Sequence, residues 1–285
     1  MKMIRTIVGA LLLAPVLFSC TERIDIELKE NFRRIVVDGG ISTDTMAHVV
    51  KLTTTTNYFY NEEPPVVSEA MVYLDNGREK ILLVELPAGS GLYQTPENYF
   101  GVPGESYLLE INLKEPIGEK DFFSAQSSLP ETVLSIDSIG LEYESVFEIW
   151  FVKLYALDPP TRDFYRIDLE VNDLMISDTA SRAQVTDDRF FNGNNTNGLT
   201  VSILRKDEIA IGDTVTLILS SITEEYYKYF MQLQMESGYS SPLFSGPPAN
   251  VTSNVNEGGL GFFAAMGRAR QTIIVTDEVW QAAGR

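Results

Sequence analysis

Cys20, His48 and a large set of carboxylates are the residues on which covalent, acid–base or metal chemistry could rest, because the chain has one cysteine and one histidine against 40 aspartates and glutamates. A lone cysteine cannot close an internal disulfide, and with a single histidine it cannot assemble a structural zinc site of the usual kind. No stretch carries the spaced Asp/Asn ligands, central glycine and terminal glutamate of the helix-loop-helix calcium site. Neither a metal nor a cofactor is expected. As a general base, His48 would need a nucleophile or water in reach and a carboxylate to orient it. It shares a strand face with Val50 and Leu52, which favours a structural role. A Gly-x-Ser-x-Gly elbow, a phosphate loop and a dinucleotide fingerprint are all missing from the sequence. Paired carboxylates are the catalytic chemistry that composition leaves open, since a glycosidase needs two acids flanking the scissile bond. Adjacent acids such as Asp187-Asp188 or Glu224-Glu225 do not by themselves select a pair.

The surroundings of Cys20 give it a different chemistry. Lys2 and Arg5 precede an apolar run from Ile7 to Phe18, which ends in Leu17-Phe18-Ser19-Cys20. Such a run is too short for a permanent membrane helix, which needs about 20 residues, and suits the middle of a secretory signal. The small Ser19 before Cys20, with Leu17 three residues before it, resembles the lipobox of bacterial lipoproteins. That resemblance implies cleavage between Ser19 and Cys20, a diacylglycerol on the Cys20 thiol and acylation of the new N-terminus. The alternative is an ordinary cleavage site with a small residue beside it. Several acyl chains anchor durably, each buried methylene contributing about 0.8 kcal/mol. The mature chain from Cys20 would then be held at a membrane by lipid without crossing it.

Charge points the same way. Lys and Arg number 22, giving a formal charge of −18, and loss of Lys2 and Arg5 makes the body more acidic still. Affinity for nucleic acid comes from cations that displace counterions around phosphate, so a polyanionic partner is excluded. The chain also lacks a basic run that would dock it on anionic lipid. With 44% apolar and 22% charged residues, a real core is expected and disorder is not.

The elements that must position any site are mostly strands. Ile24 to Leu28 alternates, Ile35-Val36-Val37 is expected to run into a turn at Asp38-Gly39-Gly40, and Ala47 to Thr56 is rich in Val and Thr. Asn76-Gly77 between Ala70–Leu74 and Ile81–Leu86 predicts a tight two-residue hairpin. Tyr107 to Leu113, Tyr165 to Val171, Leu199 to Ile203 and Val215 to Leu219 alternate as strands with one wet face, the mark of antiparallel sheets. Val146 to Leu157 is apolar on both faces, which places Trp150 in the core. Ser221 and Glu224 form a capping box for a helix over about Glu224–Glu236, with Tyr226, Phe230 and Leu233 on one face and Gly238 to end it. Beyond the long polar loop from Pro242 to Gly261, Phe262-Phe263 and Ile273-Ile274-Val275 supply final strands. The pattern is interrupted near Leu129-Pro130. The expected fold is mainly β: a signal peptide over 1–19, an antiparallel β-sandwich-like unit over 20–130, and a second such unit with one helix over 131–285.

Two loops combine aromatic rings with amides or hydroxyls, as recognition surfaces do. They are Phe190-Phe191-Asn192-Gly193-Asn194 and Tyr239-Ser240-Ser241-Pro242-Leu243-Phe244. The binding candidates are therefore Phe190, Phe191, Asn192, Asn194, Tyr239 and Phe244, the alternative being that Asn and Gly form turns with the rings tucked beneath.

Several distinct motifs follow one another along the chain. They are Cys20 with Ile24-Asp25-Ile26, Val36 to Ile41, Gly91-Leu92-Tyr93, Pro103-Gly104, Asp188 to Gly193, Asn250 to Val255, and Gly258 to Phe263. Together they resemble a Bacteroidota lipoprotein family known as domain of unknown function 4249. The resemblance implies an outer-membrane lipoprotein of a family often encoded beside a TonB-dependent receptor, and it brings no reaction, ligand or functional residue. The expected protein is a non-enzymatic, lipid-anchored envelope component that binds a small molecule, glycan or peptide and works with such a receptor in nutrient uptake. It could face the periplasm or the cell surface. Carboxylate-dependent glycan hydrolysis and a structural or adhesive surface role are the alternatives.

Overall fold

Alternating apolar and polar residues build fifteen strands and two helices among the residues that the computed structural model describes, 33–56, 62–237 and 251–282. The first seven strands are β1 (Ile35–Ser42), β2 (Val49–Thr54), β3 (Met71–Asp75), β4 (Lys80–Glu85), β5 (Leu92–Gln94), β6 (Ser106–Ile117) and β7 (Lys120–Ser128). The next seven are β8 (Ser138–Glu144), β9 (Ile149–Tyr155), β10 (Phe164–Val171), β11 (Leu174–Met175), β12 (Gln184–Asp187), β13 (Leu199–Arg205) and β14 (Thr214–Ile222). Helix α1 (Glu224–Ser237), strand β15 (Leu260–Ile274) and the short helix α2 (Asp277–Ala282) follow. The expected strand at Ile24–Leu28 and the helix stop at Gly238 lie outside the described residues.

Twelve strands form one sheet in the order β11-β10-β14-β15-β1-β2-β5-β4-β3-β6-β7, with β12 also on β10, while β13-β9-β8 form a second, three-stranded sheet. The fold is mainly β and sandwich-like, as expected. One ladder departs from the antiparallel pattern: β1 and β15 run parallel, with Gly40 opposite Ala264. The residues expected as a turn at Asp38-Gly39-Gly40 instead continue β1 to Ser42. Glycine is required there by proximity, because a Cβ on Gly39 would lie 2.3 Å from the Val49 carbonyl oxygen. The two final strands expected after Gly261 are one, since β15 runs unbroken for 15 residues.

Three apolar clusters result. The first gathers Val37, Leu52, Leu74, Tyr93 and Tyr107 with Phe263 and Ala265 of β15. The second lies where the three-stranded sheet meets β10 and β14, and joins Trp150, Val152 and Leu204 to Tyr165, Ile167 and Leu217. The third packs Tyr226 and Phe230 of α1 on Phe164, Ile222, Phe262 and Met266. Each fully buried side chain of this size contributes about 1.5–3 kcal/mol. β14 is thus covered on both sides, and Val215 to Ile222 are all buried. The expected wet face of β14 is replaced by contacts that alternation within one strand does not reveal.

Two local devices also differ from expectation. Asp75 pairs with Lys80, so the β3–β4 loop has four residues, 76–79, and Gly77 takes its positive φ of 80°. Asp75 Oδ1 accepts from Gly77 N at 2.7 Å, and Asn76 Oδ1 accepts from Arg78 N and Glu79 N at 3.0 and 2.9 Å, which closes the longer turn with side chains. The cap of α1 is Thr223, whose Oγ1 accepts from Tyr226 N at 3.2 Å. Ser221 is the penultimate residue of β14 and its Oγ accepts from Leu134 N instead.

Candidate functional site

A concavity lies on the sheet face that carries α1. One rim is the segment 43–48, fastened by Thr43 N donating to Met266 O at 3.2 Å, Arg268 N to Thr43 Oγ1 at 2.9 Å, and His48 N to Thr95 Oγ1 at 2.9 Å. The other rim is α1, held at its far end by Gln234 Nε2 donating to Ala180 O and Ala183 O at 2.8 and 2.9 Å. Between them is a cleft of about 330 Å³, whose lining includes Asp38, His48, Arg166, Tyr229, Phe262 and Arg268.

Its aromatic side is continuous. Phe262 lies 5.3 Å from Tyr226 and 5.0 Å from Tyr229, ring centre to ring centre. Burial, with the Asp38 charge adding to it, pushes the Tyr229 phenol up to about 12. Burial likewise raises Tyr226. Both remain neutral hydroxyls at physiological pH.

The two arginines differ. Arg166 is held on every side: Nε and Nη2 donate to the Asp168 carboxylate at 2.8 and 3.0 Å, and Nη1 donates to the Tyr226 hydroxyl at 2.6 Å. Its guanidinium also lies 4.9 Å over the Phe230 ring. Burial opposes its charge, and Tyr226 and Asp168 outweigh that effect and hold it above its ordinary value. Among the described residues the Arg268 side chain makes only a long contact, from Nη1 to Asp44 Oδ2 at 3.5 Å, and Asp44 also lies 3.4 Å from Arg270. Among the described residues, Arg268 Nε is buried without a hydrogen-bond partner.

His48 is 5% exposed, and its Nε2 sits 3.1 Å from the Asp44 carbonyl oxygen. Burial first, and then the charge of Arg268, lowers its pKa from 6.5, so it is neutral at pH 7. It acts as a rim support and meets a backbone carbonyl where a catalytic base would meet a carboxylate. Among the described residues no group of three or more His, Cys, Asp or Glu side chains is placed to hold a metal ion.

The loop of the sequence candidates lies away from this cleft. Phe190 is 91% exposed, whereas Phe191 stacks on Tyr165 at 6.3 Å and joins the second core cluster. Asn192 Nδ2 donates to Thr161 O at 2.6 Å and Asn194 Nδ2 to Asn192 O at 2.8 Å, so both amides shape the loop. Nearby acids do the same. Asp158 accepts from the Tyr165 hydroxyl at 2.7 Å and from Gly193 N at 3.2 Å, and Asp188 accepts from Asp163 N at 2.8 Å. Burial raises Asp158 above the usual carboxylate range despite these bonds. Asp187 is paired with Arg189 at 2.8 Å, and Glu224 with Lys228 at 3.0 Å. Ser19, Cys20, Tyr239 and Phe244 lie outside the described residues. Sequence reasoning missed Arg166, Tyr229 and Arg268, although the aromatic face of α1 was a usable signal.

The family model described as domain of unknown function (DUF4249) matches residues 21–272. The chain belongs to this family. No curated protein matches it. Among solved structures the chain is similar to that titled "Crystal structure of CBD12 from CALX1.2", at 9% identity over 84% of this chain and 100% of that one. The TM-score of that alignment is 0.18, too low to carry any argument about fold or function.

Proposed function

We propose that this member of the family is a lipid-anchored component of the cell envelope that binds a ligand in the cleft between α1 and residues 43–48, and serves an outer-membrane TonB-dependent receptor in uptake. The observation that carries the binding reading is the cleft itself: a continuous aromatic wall beside one fully engaged arginine and one with an open donor. Binding sites combine an apolar wall with a few fixed polar groups in this way. The groups that border it contain no activated nucleophile, which supports binding over reaction. Anchoring is supported by the segment from Lys2 to Cys20, with its basic start, apolar run and Ser19-Cys20 close. The receptor partnership follows from the family resemblance.

Expression of the full chain with its leader tests the anchor and the partnership together. Wild type is expected in the outer-membrane fraction and Cys20→Ala in the soluble fraction. Detergent extracts of the lipidated protein should yield a β-barrel protein in constant proportion. Repeated recovery with no barrel protein would remove the partnership, and membrane retention of Cys20→Ala would remove the lipid anchor.

A further inference from the structure

Arg166, Ser220 and Arg268 occupy directly paired positions on three neighbouring strands. Arg166 faces Ser220 in the β10–β14 ladder, and Ser220 faces Arg268 in the β14–β15 ladder. Side chains of paired residues rise from the same side of a sheet, so the three form one row, roughly 10 Å from end to end across two strand spacings. Both ends of the row border the cleft.

The three are unequally satisfied. Arg166 is committed to Asp168 and Tyr226. Ser220 Oγ and Arg268 Nε are buried and have no hydrogen-bond partner among the described residues. Buried polar atoms in native proteins nearly always have partners, so the Nε of Arg268, which borders a ligand-sized cleft, calls for an acceptor; Ser220 lies between the two arginines and does not line the cleft. The Asp44 carboxylate does not fill that role, being 3.5 Å from Nη1 and shared with Arg270.

We infer that the cleft takes a small organic carboxylate, with its anionic group on Arg268 and its apolar body along Tyr226, Tyr229 and Phe262. The inference rests on the reading of this cleft as the binding site and adds the ligand class. A carboxylate fits because its two oxygens match the planar edge of a guanidinium. One open guanidinium in a chain of formal charge −18 suits a single negative charge better than the several of a phosphate ester. The nearest lining carboxylate on β1 does not oppose it. Asp38 is paired with Phe262, six residues before Arg268 on β15, which places it roughly 20 Å away along the strand.

Two probes with the same ring system test this: 2-naphthoate and 2-naphthalenemethanol, titrated by calorimetry into the complete mature chain carrying Cys20→Ser, which avoids detergent. The carboxylate should bind about tenfold more tightly than the alcohol, or better, the difference expected for a hydrogen bond to a charged group. Arg268→Gln should bring the ratio close to one, and Arg268→Lys, which keeps the charge and loses Nε, should give an intermediate ratio. Thermal unfolding confirms that each variant is folded. Equal affinities in the parent chain, or a ratio unchanged by Arg268→Gln, would overturn the carboxylate inference and leave the cleft as a binding site. No saturable binding of either probe at millimolar concentration would overturn the cleft reading itself.

Discussion

Gly40 of β1 lies so close to its partner Ala264 of β15 that a Cβ on Gly40 would stand 2.0 Å from the Ala264 carbonyl oxygen. The approach is mirrored three strand positions away, where a Cβ on Gly261 would stand 2.0 Å from the Val37 carbonyl oxygen. This parallel ladder joins β1 to β15 and so unites the two halves of the large sheet. Gly40→Ala must separate two backbones, since no flexible side chain is available to give way. It should cost about 3 kcal/mol or more, the upper end for overpacking. The measurement is the urea midpoint, and a loss below 1 kcal/mol would show that the ladder yields easily.

The Arg166–Asp168 pair is the most committed ion pair beside the cleft. Asp168 is 5% exposed, and it also accepts from Ser177 Oγ at 3.0 Å. Arg166→Met leaves that carboxylate buried beside an apolar chain, which should destabilise the fold by about 3 kcal/mol. Adding Asp168→Leu removes the orphaned charge and should restore part of the loss. Chemical denaturation of the two variants decides this, because a merely decorative pair would show neither effect.

His48 makes stability depend on pH in a stated direction. Its folded-state value is lowered from 6.5 by burial and then by Arg268, with the backbone carbonyl groups of Asp44 and Tyr99 and the Asp44 charge opposing. The unfolded chain therefore binds more protons than the folded one just below pH 6.5. The stabilisation is complete above pH 6.5 and is lost as pH falls through the lowered value. His48→Gln should lose less melting temperature between pH 7.5 and 5.5 than wild type does. Parallel curves for the two proteins would remove His48 as the source.

Neighbouring phenylalanines should behave differently. Phe190 is 91% exposed, so Phe190→Ser should change stability by less than about 0.5 kcal/mol. Phe191 stacks on Tyr165 within the second core cluster, and Phe191→Ala should cost about 2 kcal/mol, less than a fully buried ring. Both are read from denaturant midpoints, and similar losses in the two variants would contradict the packing described.

Much of the fold was legible because it is local. Alternation marked β6, β10 and β13, the apolar run marked β9 with its buried Trp150, and the spacing of Tyr226, Phe230 and Leu233 marked α1. Even so, β9 has one buried face, Val146 and Phe147 are exposed in the turn before it, and a bulge in β13 leaves Leu199 and Ile203 exposed. The errors share one cause. Asp38-Gly39-Gly40 carries turn residues, yet glycine serves there to let β2 and β15 approach, and proximity between distant strands leaves no trace in the neighbouring sequence. Ser221 has the spacing of a cap, yet its position in a ladder with Tyr165 and Gly267 gives it to β14.

The residues alone established a β-rich body, because composition, charge and the periodicity of side chains are properties of short stretches. They also established family membership through motifs spread over the chain. Only the folded chain placed Arg166 and Arg268, 102 residues apart in the numbering, on either side of Ser220. Strand register sets that row and helix packing sets its aromatic wall. Both arise from contacts between segments far apart in the sequence.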